Sequence, residues 1–235
     1  MSDKSTHIIA ITGTIGSGKS AVGEIVAKAG AFVTDTDFLA KELQAEGTEG
    51  AGLIKAAFGD KLYEGGFLNR KALGQQVFGN PENLNKLNGI MHPLIYDAML
   101  REFGNARKQG HALIFALVPL LFEAGEKWTR RFDEVWIVAA SREACIKRVM
   151  ARDKCAAADA ELRIGAQMPL EQKLEAAKSL GIPVTVIEND NGEAKLYRQV
   201  MKALKPHKKL LRSQSANHIA QSTNKRRQVD SKRIV

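Results

Sequence analysis

The eight residues Gly13-Thr14-Ile15-Gly16-Ser17-Gly18-Lys19-Ser20 constrain the fold of this chain more than any other stretch. They carry glycine, glycine, lysine and serine at every position a phosphate loop requires, and such a loop functions only between a strand and a helix. Both flanks are present. His7-Ile8-Ile9-Ala10-Ile11-Thr12 is short, apolar and rich in β-branched residues, which predicts a buried strand. After the loop, Val22, Ile25 and Val26 recur at helical spacing. Glycines let successive backbone N–H groups converge on phosphate oxygens, and the following helix terminus adds donors and a favourable dipole. The motif therefore assigns Gly13 to Ser20 to the phosphates of a nucleotide, with Lys19 reaching the β and γ phosphates and the Ser20 hydroxyl ligating Mg²⁺.

Downstream, the apolar pattern switches repeatedly between strand and helix periods. Ala31-Phe32-Val33-Thr34 predicts a second strand, ending at Asp35-Thr36-Asp37, where a helix begins under a carboxylate cap. Eight glycines between Gly47 and Gly79 leave short clusters such as Leu53-Ile54 and Phe67-Leu68, read as short helices joined by turns. Pro93 to about Arg107 predicts a helix with proline in its first turn, ended by Gly110. Ala112–Val118 and Glu134–Ala139 predict fully buried strands. Arg142–Arg152 predicts a helix capped by Ser141, Ala158–Leu180 a helical pair broken near Pro169, Pro183–Ile187 the last strand and Glu193–Leu204 the last helix. Strands alternating with helices favour a parallel α/β sheet with right-handed crossovers.

Composition sets the outer bounds. A chain of 235 residues, 44% of them hydrophobic, suffices for one well-packed domain or a core carrying small inserted subdomains. Its two cysteines, Cys145 and Cys155, have no ligand set around them, read as packing thiols and suit a reducing, cytoplasmic setting. No run of about 18 apolar residues exists and the N-terminus is polar, so neither a membrane span nor a secretory signal is expected. The net charge of +9 suggests a nucleic-acid partner until its location is counted. Residues 201–235 hold ten Lys or Arg and a single acid, Asp230, leaving 25 residues of each sign before them. The body is neutral and needs no nucleic acid, and residues 206–235, without apolar periodicity, read as a basic, flexible tail.

In a parallel sheet, ligands lie beyond the carboxyl ends of the strands, so Asp35 and Asp37 are expected to face the same crevice as Lys19. Asp35 suits accepting or orienting the proton of an attacking hydroxyl, and Asp37 a sugar hydroxyl or a metal-bound water; both also suit a plain acidic helix cap. Arg148 and Arg152, four apart on one helix face, suit stacking on adenine or approaching phosphates. Glu123, at a strand end, suits a metal-bound water or an acceptor hydroxyl, a position that favours function over the other reading, a helix cap.

Taken in order, several elements resemble the dephospho-CoA kinases over roughly residues 7 to 203. They are the loop Gly13 to Ser20, Asp35-Thr36-Asp37-Phe38-Leu39-Ala40, His92-Pro93, Val118-Pro119-Leu120-Leu121-Phe122-Glu123, Arg148 with Arg152-Asp153, Arg163 with Ala166-Gln167, and Ile187 to Gly192. The resemblance implies a three-layer phosphate-loop kinase fold of the α/β class: a body over 1–205, a helical acceptor-binding insertion over about 38–108, a helical lid over about 142–180, and the tail 206–235. It implies ATP-dependent phosphorylation of the ribose 3′-hydroxyl of dephospho-CoA, with Mg²⁺, by a monomer or small homo-oligomer. Asp35 resembles the catalytic aspartate, Asp37 its companion, and Arg70 and His92 residues of the acceptor side. Arg152 resembles the arginine at the lid entrance; Arg163, Gln167 and Lys173 fall in the lid and its return, where an ordinary charged helical surface is the other reading. Asn189 resembles a residue near the adenine edge.

The chain departs from the family pattern at Thr14, Ala21 and Thr36 and is longer from Ser179 to Pro183, without losing a required group. Two rival expectations are a kinase of nucleosides or another small hydroxylated acceptor, and a nucleotide-dependent switch that binds nucleic acid through the tail.

Overall fold

The computed structural model describes residues 6–77 and 79–213. Five strands form the main sheet: β1 (His7–Thr12), β2 (Phe32–Asp35), β5 (Leu113–Leu117), β6 (Glu134–Ala139) and β7 (Val184–Glu188). A separate hairpin pairs β3 (Tyr63–Glu64) with β4 (Phe67–Leu68). The helices are α1 (Lys19–Lys28), α2 (Thr36–Leu43), α3 (Glu49–Phe58), α4 (Arg70–Val77), α5 (Pro81–Lys108), α6 (Glu126–Thr129), α7 (Arg142–Asp153), α8 (Ala157–Gly165), α9 (Leu170–Ser179) and α10 (Glu193–Ala203).

The main sheet runs β2-β5-β1-β6-β7. β1 pairs in parallel with β5 on one side and β6 on the other, and β6 with β7. The chain thus leaves β1 in both directions, which makes the carboxyl end of β1 the switch point where α/β sheets bind ligands. Register places Ile9 beside Phe115 and Ile11 between Leu117 and Trp136, so one face of three strands presents an unbroken apolar layer. Phe115 and Trp136 meet edge to face with centroids 4.9 Å apart. Val22 and Val26 of α1 and Leu196 and Val200 of α10 close over this layer, each at most 3% exposed. Burial of one such side chain contributes about 1.5–3 kcal/mol, so this layer dominates the stability of the unit.

Asp35–Glu102 forms a compact unit of its own, distinct from the one built on the sheet. Its core gathers Ile54, Leu62, Leu73, Val77 and Met91. The sequence reading of this stretch is corrected in two places. The helix expected from Pro93 starts twelve residues earlier, at Pro81, and Pro93 lies inside it. Asn80 caps it, its Oδ1 accepting from Asn83 N at 3.1 Å, so Pro81 is the proline of the first turn. The stretch also holds the β3–β4 hairpin, turned by Gly65 and Gly66 at φ +56° and +85°, a two-glycine signal for such a turn.

At the other end of the chain, the boundary expected at residue 205 moves. A 3-10 turn spans Lys205–His207 and residues 208–213 are helical, with His207 buried and Leu210 and Leu211 packed on the main core. The rest of the expected tail, from 214, lies outside the described residues. Among the described residues, no helix is long and apolar enough to cross a membrane.

His207 docks at the starting edge of the sheet. Its Nε2 lies 3.1 Å from Glu134 Oε2, and His7 Nε2 lies 3.7 Å from the same oxygen. Burial opposes ionisation of Glu134, but His207, His7, Thr185 and Trp136 outweigh it and hold the carboxyl far below the usual carboxylate range. Glu134 in turn raises His7 above its ordinary 6.5 against burial, with Asp133 adding to the effect. A raised histidine contributes stability that is full below 6.5 and lost as the pH rises through its folded value. The lowered Glu134 contributes above its ordinary 4.5 and loses this as the pH falls through its folded value. His7→Asn should therefore reduce the thermal midpoint most at roughly pH 5.5 and least at roughly pH 8.5. A deficit constant across that range would contradict the coupling.

Candidate active site

β1 delivers the chain to Gly13 at the switch point, where the phosphate loop turns back on itself through Ser17 N donating to Thr14 O at 3.0 Å. Two glycines are demanded by close approach as well as by backbone angle. At Gly13 (φ +146°) a Cβ would lie 2.3 Å from Val138 O, and at Gly18 (φ +102°) one would lie 2.0 Å from Asn189 Nδ2. α1 begins at Lys19, and its first internal bond runs from Val22 N to Gly18 O at 3.2 Å. The amides of its first turn precede that bond, and no acid in the turn offsets the positive end of the dipole. Lys19 Nζ donates to Gly13 O at 2.8 Å and Thr14 O at 3.0 Å, and Ser20 is exposed on the same turn.

Three side chains from distant positions hold this loop in shape. Arg148 donates through Nη1 to Gly16 O at 3.1 Å and Ser17 O at 3.4 Å, and through Nη2 to Asn189 O at 2.6 Å. Asn189 is buried and donates from Nδ2 to Ser17 O at 2.8 Å, while its own N–H bonds Ala139 O at the end of β6. Gln167 Oε1 accepts from Ile15 N at 2.7 Å. In this structure Arg148 and Asn189 brace the carbonyls of the loop, while Gln167 holds the Ile15 amide. Charge-assisted bonds of this kind contribute about 1.5–3 kcal/mol each. Arg148→Ala should weaken binding of ATP, the nucleotide expected at this loop, about 10- to 100-fold in a calorimetric titration, with Arg148→Lys recovering part of the loss. Unchanged affinity in Arg148→Ala would remove the bracing role.

The segment expected to form a lid is built on α7, α8 and α9. Ser141 Oγ caps α7 by accepting from Ala144 N at 3.3 Å, and Asp190 grips Ser141 through its N–H at 2.8 Å and its hydroxyl at 3.0 Å. Asp153, the last residue of α7, gathers both expected lid arginines: Arg152 at 2.7 and 2.9 Å and Arg163 at 2.9 Å. Arg152, followed by Arg163, holds the Asp153 carboxyl below its ordinary value. Glu123 Oε1 accepts from Lys173 Nζ at 2.7 Å and from Met168 N at 2.9 Å. Lys173 is only 1% exposed, which replaces the charged helical surface expected there with a buried ion pair. Cys145 is buried, and burial pushes its thiol up, as fits a packing residue.

The remaining expected residues lie in the unit Asp35–Glu102. Asp35 ends β2 and caps α2, its Oδ1 accepting from Asp37 N at 2.8 Å, so the cap reading and an acidic site coexist in one side chain. Asp37 is exposed. Arg70 is the exposed first residue of α4, where Asn69 Oδ1 accepts from Ala72 N at 3.0 Å. His92 is half-buried on α5, and burial lowers it below 6.5, favouring the neutral imidazole. Sequence reasoning misses the contributions of Asp153, Lys173 and Asp190. Asp153 beside Arg152 is the one available signal; the other two depend on partners about fifty residues away.

A parallel α/β sheet with a braced phosphate loop at its switch point and helical insertions defines a protein of the phosphate-loop kinase class. The family model described as dephospho-CoA kinase matches residues 7–195. A dephospho-CoA kinase of Geobacter sulfurreducens is 39% identical over 195 residues, covering 83% of this chain and 95% of that one. One of Staphylococcus aureus is 34% identical over 199 residues, covering 84% and 92%. Among solved structures, TT1252 from Thermus thermophilus superposes with a TM-score of 0.72 at 33% identity, covering 86% of this chain and 97% of that one. The dephospho-CoA kinase from Campylobacter jejuni gives 0.61 at 28% identity, covering 84% and 95%. The chain belongs to the dephospho-CoA kinase family, and is accordingly a transferase of coenzyme A biosynthesis.

Proposed function

We propose that this protein transfers the γ-phosphoryl group of ATP to the 3′-hydroxyl of dephospho-CoA, forming CoA and ADP. The observation that carries the reading is the family match over residues 7–195, which takes in both the complete phosphate loop and Asp35-Thr36-Asp37. The loop amides and the first turn of α1 receive the phosphates of ATP, with Thr14, Ile15 and Ser17 shaping the cradle between the glycines. Lys19 exchanges its present carbonyl partners for phosphate oxygens. Asp35 orients the ribose hydroxyl and takes its proton as the oxygen attacks in line; Asp37, Arg70, His92 and Glu123 hold the acceptor. Arg152 and Arg163 supply positive charge from the lid, and Gln167 ties the lid's return to the loop. Arg148 and Asn189 serve the nucleotide through the loop they brace.

The donor set fits Mg²⁺: Ser20 offers an exposed neutral oxygen beside Lys19, and Mg²⁺ favours one or two such protein ligands with phosphate and water completing its shell. When bound there, Mg²⁺ neutralises charge on the phosphate oxygens. The near-neutral body supports a reading that requires no nucleic acid or membrane, and we place the protein in the cytoplasm as a monomer or small homo-oligomer.

The test is an ATP-dependent assay with dephospho-CoA, followed by location of the new phosphate. The expected product carries it on the 3′-oxygen. Phosphorylation of a nucleoside or of shikimate in preference to dephospho-CoA would overturn the assignment.

A further inference from the structure

The starting edge of the sheet, at the opposite end of β1 from the phosphate loop, carries a second cluster that the kinase reaction does not use. His7 begins β1, Glu134 begins β6, and His207 comes from the 3-10 turn after α10. One ligand atom from each lies within 4.8 Å of the others. β1 is six residues long, so His7 at its start lies roughly 20 Å from the start of the loop at about 3.3 Å per residue, and the two places are chemically independent.

We infer that His7, Glu134 and His207 form a binding site for one transition-metal dication of the zinc class. The donor set is two imidazoles and one carboxylate, a combination that suits zinc and disfavours Mg²⁺ and Ca²⁺, which select oxygen. The spacing agrees. His207 Nε2 and His7 Nε2 lie 3.1 and 3.7 Å from Glu134 Oε2. These distances bracket the edge of about 3.4 Å expected between ligands of a tetrahedral ion held at about 2.0–2.1 Å. At 3.7 Å the His7 contact is too long for a hydrogen bond, and His7 Nε2 is a buried atom with no hydrogen-bond partner among the described residues.

The surroundings orient the ligands as metal sites require. Trp136 Nε1 and Thr185 Oγ1 each donate to Glu134 Oε1 at 2.7 Å, which turns Oε2 to the histidines. Asp133 Oδ2, fixed by Ile8 N at 2.8 Å, lies 3.8 Å from His7 Nδ1, so the two nitrogens of that ring face two carboxylates. The His7 and His207 rings stack with centroids 5.1 Å apart. Three protein ligands leave the fourth position to water. A bound ion would join the central strand β1, its neighbour β6 and the turn after α10, and stabilise the fold by mass action.

The test uses the full chain without a polyhistidine tag, dialysed against a chelator and titrated with Zn²⁺ by calorimetry, with thermal melting in parallel. One Zn²⁺ per chain and a raised melting temperature are expected. His7→Asn and His207→Asn should each weaken binding about 10- to 100-fold. His218→Asn and the Cys145→Ser/Cys155→Ser double variant should leave it intact. Imidazole nitrogen NMR of the unaltered chain gives a readout that needs no variant: two of the five histidines should shift on adding zinc. Zinc-independent melting with no bound equivalent, or binding that survives both histidine variants or follows His218 or the cysteines, would overturn the proposal. The three residues would then be an electrostatic tie and nothing more.

Discussion

Asp35→Asn should lower kcat roughly 10²- to 10⁴-fold, the range general-base assistance commonly supplies, while ATP binding changes little. The substitution is unusually clean because of the second task this side chain performs. Asp35 Oδ1 caps α2 by accepting from Asp37 N, and asparagine caps helices about as well as aspartate. The Asp35→Asn variant would keep the β2–α2 junction and its turn and lose only the charge and basicity. A fall in kcat with unchanged melting temperature and unchanged ATP affinity therefore reports chemistry. Near-wild-type turnover would reduce Asp35 to its cap.

Lys173→Met should cost about 3 kcal/mol of stability, because it leaves the Glu123 carboxylate without its buried counter-ion. For a chain of this size that corresponds to a fall of about 6–12 °C in melting temperature. Glu123 is 23% exposed and keeps the Met168 N–H, which holds the cost near the lower end of the range for broken buried pairs. Adding Glu123→Gln to Lys173→Met removes the stranded charge but keeps an acceptor for Met168, so the double variant should melt above the single one. The single variant should also bind ATP less tightly, since Met168 follows Gln167, whose amide holds Ile15 of the phosphate loop. A Lys173→Met protein that melts with the wild type would show that the pair contributes nothing net.

The fold is legible wherever a local pattern determines the outcome. β1 and β6 run over the residues their apolar runs predict, and α2 and α7 start under the caps read from Asp35 and Ser141. Where two local signals compete, the pattern misleads. Pro93 suggests a helix start, although Asn80-Pro81 carries both cap and first-turn proline. The C-terminal turns are hidden because lysines surround them, yet Leu204, His207, Leu210 and Leu211 recur at helical spacing and face the core. The site is legible as a list of residues rather than as an arrangement. Helix position marks Arg148, and the family resemblance Gln167 and Asn189, as nucleotide or acceptor residues, but only tertiary contact reveals that all three grip the phosphate loop itself. Lys173 cannot be read as buried without its partner 50 residues earlier.

The order in which the chain is made gives that grip a further meaning. The phosphate loop leaves the ribosome well before its braces, which come from positions 132, 152 and 172 residues later. Contacts of such long sequence separation form late, after the loop-closure entropy has been overcome. An incomplete chain would carry the whole motif without its working shape. The proposed nucleotide site would thus be complete only when folding is complete: a motif made early acquires its shape from segments made much later.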